Sequence, residues 1–295
     1  MTAIRNRVNT LLSLLVLLAL LAVIGMLAAG VRGGPLDPPG APGETDSVRL
    51  PGTPIDGPTE ITLPGHYYLT RNITLPAQGT GVRISADDVT LDMGGFTIVG
   101  DPLGDDVGIS VGENKVRIFN GIIDGAETGV DAPVEDVSIS GVAVYNASVG
   151  FVRGQGGVLE GCISSGNRTG VEINGRNAVV RGCVIRSNDN SGVVVNGGAA
   201  GALIERSAIR ENNPTAFAGD AGIRLFINAN QATIRDNDLG ANGYADVAVG
   251  GADTVIVDNM LDCPTSIVLD GSSSNTFAPV NTTDPHTNRA HRVAC

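Results

Sequence analysis

Two carboxylates and one guanidinium, Asp131, Glu172 and Arg224, hold the same place in successive copies of one short pattern, the middle of an apolar-x-apolar triplet. If each copy is one coil of a stack spaced at about 4.8 Å, Asp131 and Glu172 lie two coils apart, about 9–10 Å. That is near the upper end of the separation with which inverting glycosidases set an acid and a base on opposite sides of a sugar. Arg224 falls two coils further on, beside the longest insertion between copies, Asn213-Pro214-Thr215-Ala216-Phe217-Ala218-Gly219-Asp220, a loop suited to form one wall of a groove. The same column also holds Arg83, Ser110, Val152, Val194, Ala248 and Val268. Charge that merely solubilises the outside of a rod therefore competes with a site as the reason for these three residues.

Other chemistries have less to draw on. The three histidines, His66, His286 and His291, all fall outside the copies, so copper or zinc ligation inside a rod is not expected. Near the C-terminal end, His286, His291 and Cys295 would bind metal only adventitiously. The four cysteines fit no x₂-spaced metal motif. Cys162 and Cys183 stand one coil apart and are expected as stacked, buried thiols, with oxidation as the alternative outside the cytoplasm; Cys263 and Cys295 are a candidate clasp for the last coil. Asp87-Asp88 and Asp105-Asp106 read as turn residues. The sequons at Asn72, Asn146, Asn167 and Asn281 fall mostly where stacked amides already explain the asparagine. A formal charge of −12 repels nucleic acid and anionic lipid, which excludes polyanion binding through a broad basic surface. An acidic polysaccharide would need bridging cations or a confined cluster of arginines.

The elements that position these residues come from a repeat. Gly108, Gly129, Gly150, Gly170, Gly192 and Gly222 open successive copies 21, 21, 20, 22 and 30 residues apart. After each glycine come alternating pairs such as Ile109 and Val111, Val171 and Ile173, Val193 and Val195, or Ile223 and Leu225, which turn to one interior while the residue between them turns out. A second strand carries Leu91, Ile118, Ile139, Leu159, Val180, Ile204, Ile234 and Ile256, and a third carries Ile185, Ile209, Leu239 and Leu261. Three short strands per 21 residues leave no room for a helix and predict an all-β parallel β-helix of about nine turns. Leucine-rich and hexapeptide repeats are excluded by composition and by period. Read vertically, Glu160, Arg181, Glu205 and Arg235 form an alternating charge ladder, Cys162, Cys183, Ser207, Asn237 and Asn259 a small polar column, and Asn167, Asn188, Asn212 and Asn242 an amide stack. Arg153 breaks the pattern. Strict alternation points it inward, so the strand is expected to end at Val152 and release Arg153 into the turn; otherwise the register would be off by one residue.

Upstream, residues 11–29 are uncharged and apolar and follow Arg5 and Arg7. Nineteen such residues span roughly 28 Å as a helix, which predicts a signal anchor, or a signal peptide cut near Ala28-Ala29-Gly30, with everything after it exported. The expected domains are 1–30 as leader, 31–59 as a Pro/Gly-rich tether, 60–276 as β-helix and 277–295 as a C-terminal cap or tail.

The run Pro64-Gly65-His66-Tyr67-Tyr68-Leu69-Thr70-Arg71-Asn72-Ile73-Thr74-Leu75, then Asp88-Val89-Thr90-Leu91-Asp92-Met93-Gly94-Gly95-Phe96-Thr97-Ile98, resembles the opening of bacterial right-handed parallel β-helix proteins of the pectate-lyase-like superfamily. Copies such as Ala232-Thr233-Ile234-Arg235-Asp236-Asn237 resemble its NosD-like repeats, and the likeness covers residues 60–276. The resemblance implies a right-handed helix whose enzymes act on the outward face of the first strand. The galacturonase-like pattern of paired Asp with His and Arg-x-Lys is missing, and Lys115 is the sole lysine. Asp284-Pro285-His286 is similar to the core of alginate epimerases but stands in the tail without the surrounding motif. The expected function is an exported, surface-exposed, non-catalytic module that binds glycan or contacts the cell envelope, with the membrane reached through the N-terminal helix. The alternative is a polysaccharide lyase or glycoside hydrolase with a divergent site at Asp131, Glu172 and Arg224; Ca²⁺ is expected only with a lyase, and no other cofactor.

Overall fold

A glycine opens the coils from Gly81 to Gly222, where a side chain would collide with the next coil; Asp246 and Ser266 take its place in the last two. A Cβ built on Gly129, Gly150 or Gly170 would stand 2.4–2.5 Å from the carbonyl oxygen of the glycine one coil on. The small residue therefore lets successive coils approach to hydrogen-bonding distance, and the apolar triplet after it extends as a strand. The computed structural model describes residues 52–101, 104–217, 219–261, 266–269, 276–277 and 288–290, all within the unit Leu50–Cys295. The predicted leader, most of the tether, Cys263, Cys295, His286, His291, Asn281 and the Asp284-Pro285-His286 run lie outside these residues. Among the described residues no helix is long and apolar enough to cross a membrane.

First strands of the coils, from Thr59–Ile61 through Thr128–Ala132, Val149–Arg153 and Thr169–Ile173 to Ile267–Leu269, make one ten-stranded parallel sheet in chain order. Second and third strands make a nineteen-stranded parallel sheet that closes the other sides. The fold is thus an all-β parallel solenoid of about nine turns. Its register is the one the alternation predicts: Val171 faces Val193, Val193 faces Ile223, and Ile139, Leu159, Val180, Ile204 and Ile234 stack in sequence. All of these side chains have no exposed surface. Pairing starts earlier than expected. Thr53–Ile55, inside the stretch read as tether, is already a strand against Gly65–Leu69. At the other end Arg289–Ala290, in the stretch read as tail, pairs with Met260–Leu261.

In seven coils the chain bends on one left-handed residue, within or just after the second strand: Asn120, Gly141, Gly161, Gly182, Arg206, Asp236 and Asp258 have φ of 51–63°. Gly, Asn and Asp take this conformation at low cost, and Arg206 is the exception. Two amide stacks run along the turns, one after the third strands and one beside the bends. The backbone N–H groups of Ala147, Asn167, Asn188 and Asn212 each donate to the side-chain oxygen of the asparagine one coil on, at 2.8–3.2 Å. The second column does the same from Cys183 to Ser207, Asn237 and Asn259, and then beyond the expected end to Asn288. Buried turn amides thereby find partners that the strands cannot offer them. Asn167 is fully buried in this stack, which removes its sequon from the surface.

The charge ladder also forms: Arg181 Nε lies 3.0 Å from Glu160, and Arg235 2.7 Å from Glu205. Glu205 is 2% exposed rather than outward, because Arg206 covers it as well. Burial alone pushes its pKa up, but the hydrogen bonds and charges of Arg206 and Arg235 outweigh burial and hold it below the usual carboxylate range.

Two expectations fail in the same sheet. Arg153 does not escape into the turn; it ends the strand Val149–Arg153 and is fully buried in the lumen, between Ala132 and Ile173. Alternation prevails over the cost of burying the charge, and the register does not slip, since Val193, Val195, Ile223 and Leu225 remain inside. One guanidinium nitrogen donates to the Val137 carbonyl, whereas Nε and Nη1 have no partner. Gly157 makes the room, because a Cβ there would meet the guanidinium at 2.2 Å. Ala248, read as outward, is fully buried in a small cluster with Ala221 and Ala245.

Candidate functional site

The outward column of the ten-stranded sheet follows the predicted order. Ser110 faces Asp131, Asp131 faces Val152, and Val152 faces Glu172; Val194, Arg224, Ala248 and Val268 continue it. Asp131 and Glu172 are therefore neighbours but one, about 9–10 Å apart at the strand spacing. Arg224 stands two further coils away, so the three predicted residues share a face and not a pocket. Below them the column begins at Glu60 and Arg83, one coil earlier than the sequence reading.

Around Arg224 the face becomes aromatic. Its Cζ lies 5.3 Å from the centroid of the Phe226 ring, an arrangement that a cation–π attraction favours. Phe226 is 44% exposed, and Phe217 of the long insertion 68%. Asn213 ties that insertion down: its side-chain amide donates to the carbonyls of Phe217 and Asp220, each at 3.0 Å. Phe226 carried a readable signal, an aromatic two residues after the column arginine, that the reading of the column left aside.

Both carboxylates are half-buried, and burial pushes each pKa up; at Glu172 the charge of Arg168 opposes the rise. This has a sign that can be measured. A carboxyl whose folded-state pKa is raised binds its proton more tightly in the native state, so its ionisation weakens the fold above that pKa and ceases to do so below the unfolded value. Asp131→Asn is accordingly expected to be more stable than the wild type at neutral pH, with the gap closing as pH falls through the raised pKa. Urea unfolding at several pH values checks this. A gap that widens toward acid would show that the Asp131 anion is stabilised by the fold instead.

No group of three or more His, Cys, Asp or Glu residues among the described residues is placed to hold a metal. The donor sets named above do not suit Ca²⁺ either. The buried carboxylate of Asp106 accepts from the backbone N–H groups of Asp101 and Glu127, both at 2.9 Å, and Asp131 and Glu172 are too far apart to share one ion. Cys162 and Cys183 are free and buried, as stacking predicts. Cys162 donates to the Ile139 and Glu160 carbonyls and Cys183 to those of Leu159 and Arg181; the adjacent Cys183 side chain, with burial added, holds the Cys162 thiol well above its usual range.

Stacked parallel coils with a column of mixed polar and apolar residues across the first-strand face define a solenoid scaffold. The family model for the right-handed β-helix region matches residues 108–282, more than half of the chain, and the protein belongs to that family. No curated protein sequence matches it significantly. Among solved structures it is similar to the A-modules of two mannuronan C-5 epimerases of Azotobacter vinelandii. AlgE4 shares 14% identity at a TM-score of 0.51, over 81% of this chain and 90% of that one. AlgE6 shares 15% at 0.54, over 82% and 86%. At such identities the likeness concerns the fold.

Proposed function

We propose that the outward face of the ten-stranded sheet is a glycan-binding surface, displayed outside the cytoplasm by the N-terminal leader, and that it engages a polysaccharide or another component of the cell envelope without turning it over. One observation carries the reading: half-buried Asp131 and Glu172 and the Arg224–Phe226 pair stand on one continuous column. Hydrogen-bonding groups in line with an exposed ring are what an extended sugar chain requires, since rings stack on sugar faces while carboxylates accept from hydroxyls. The fold shared with the two epimerase modules is consistent with a glycan-related role. No cofactor is needed for binding.

A second reading rests on the raised carboxyls. A hydrolase needs an acid that stays protonated near neutral pH, and burial moves Asp131 and Glu172 in that direction at a separation suited to inversion. A glycan array followed by titration of the hits separates the two. Binding is expected, with at least about tenfold loss in Arg224→Gln or Glu172→Gln and no release of reducing ends or unsaturated products from uronate polymers, with or without Ca²⁺. Turnover that disappears in Asp131→Asn would replace the binding reading with the enzymatic one.

A further inference from the structure

Around the turn that follows the first strand lies a cleft of about 490 Å³ lined by Asp88, Thr90, Lys115, Arg117, Asp136 and Ser138. Its residues form a grid of two columns over three coils. Thr90 pairs with Arg117 and Arg117 with Ser138, while Asp88, Lys115 and Asp136, two residues earlier in each coil, are all left-handed with φ of 53–57°. The turn is held from behind. Asp87 Oδ1 accepts from Asn114 N at 2.8 Å, and Asn114 Oδ1 from Glu135 N at 2.9 Å. The chain's only lysine and Arg117 thus occupy one coil, with a carboxylate and a hydroxyl on the coil to each side. Among the described residues neither cation makes an ion pair or side-chain hydrogen bond, although both carboxylates are one coil away.

From this arrangement we infer that the cleft is a binding subsite for a uronate sugar residue, separate from the first-strand face. The charges of the grid sum to zero, two cations against two carboxylates. A phosphate dianion would be repelled by Asp88 and Asp136, whereas a single carboxylate meets the planar fork of Arg117 and the ammonium of Lys115. Neighbouring sugar hydroxyls would donate to Asp88 and Asp136 and exchange hydrogen bonds with Thr90 and Ser138. An acidic chain approaching a protein of net charge −12 needs such a confined pair of cations. The inference does not depend on the first-strand reading.

Calorimetric titration of the whole protein with trigalacturonate and with its carboxyl-reduced neutral analogue tests it. Trigalacturonate is expected to bind, the neutral analogue at least tenfold more weakly, and Arg117→Gln and Lys115→Gln each to lose about tenfold or more, with greater loss at high salt. Both side chains are exposed, so the melting temperature should stay unchanged, and Arg186→Gln, on the third strand, should bind as the wild type does. Unchanged affinity in both cleft variants overturns the inference. So does failure of trigalacturonate to bind, or competition by inorganic sulfate at equal concentration, which would mark a general anion site. Loss confined to Arg224→Gln would overturn it while supporting the first-strand face.

Discussion

Aspartate in place of Val193 or Ile223 is expected to cost several kcal/mol and to unravel the neighbouring coils. Both side chains have no exposed surface and stack directly on one another in the lumen. A solenoid coil buries its apolar residues only against the coils next to it, so an ionised group there has neither water nor a distant partner to turn to. The outward neighbour Val194 sits in the same strand, and Val194→Thr should cost about half a kcal/mol or less. Urea unfolding followed by circular dichroism, with proteolysis to locate the opened coils, gives the comparison. Equal losses at Val193 and Val194 would mean that the lumen is wet at this point and that its dryness does not hold these coils together.

Arg153→Met is expected to stabilise the protein by about 1–4 kcal/mol, the range by which buried ion pairs replaced with packed apolar residues gain, since here the charge has no counter-ion to lose. The guanidinium is fully enclosed, makes one hydrogen bond to the Val137 carbonyl and leaves two nitrogens without partners. Burial lowers its pKa to about 10, so it remains charged at neutral pH and carries an unrecovered desolvation cost. Methionine fills the same channel and asks for no acceptor. The control is Arg153→Ala, which removes the charge but opens a cavity and should gain less or lose. Lower stability in Arg153→Met, measured by thermal and urea unfolding, would show that the lumen satisfies the guanidinium through groups beyond Val137.

Legibility followed the physics of each feature. The lumen columns, the charge ladder and the asparagine stacks could be read because a period of two and a repeat of about 21 residues each place a side chain unambiguously. The outward column holding Asp131, Glu172 and Arg224 was legible for the same reason. Arg153 was misread because alternation and desolvation point in opposite directions, and only packing decides which prevails; Gly157, four residues later, was the available clue. Glu205 was placed correctly in its ladder but not in its burial, since the cover comes from Arg206, a residue forced by the bend to turn back over it. Asn288 lies 29 residues after Asn259, in the stretch read as tail, where no apolar triplet marks another coil and joins it to the column. The Lys115–Arg117 cleft was hidden because its members come from three coils and belong to no single motif.

The backbone and amide hydrogen bonds described above run nearly along the rod, from each coil to the next. A pull on the two ends therefore loads them in series, and the weakest junction yields while the others stay closed. Each coil that opens frees some 21 residues, about 70 Å of extended chain. A rod fixed at one end and gripped at the other would lengthen in such increments, absorbing mechanical work coil by coil and still presenting the unopened part of its surface intact.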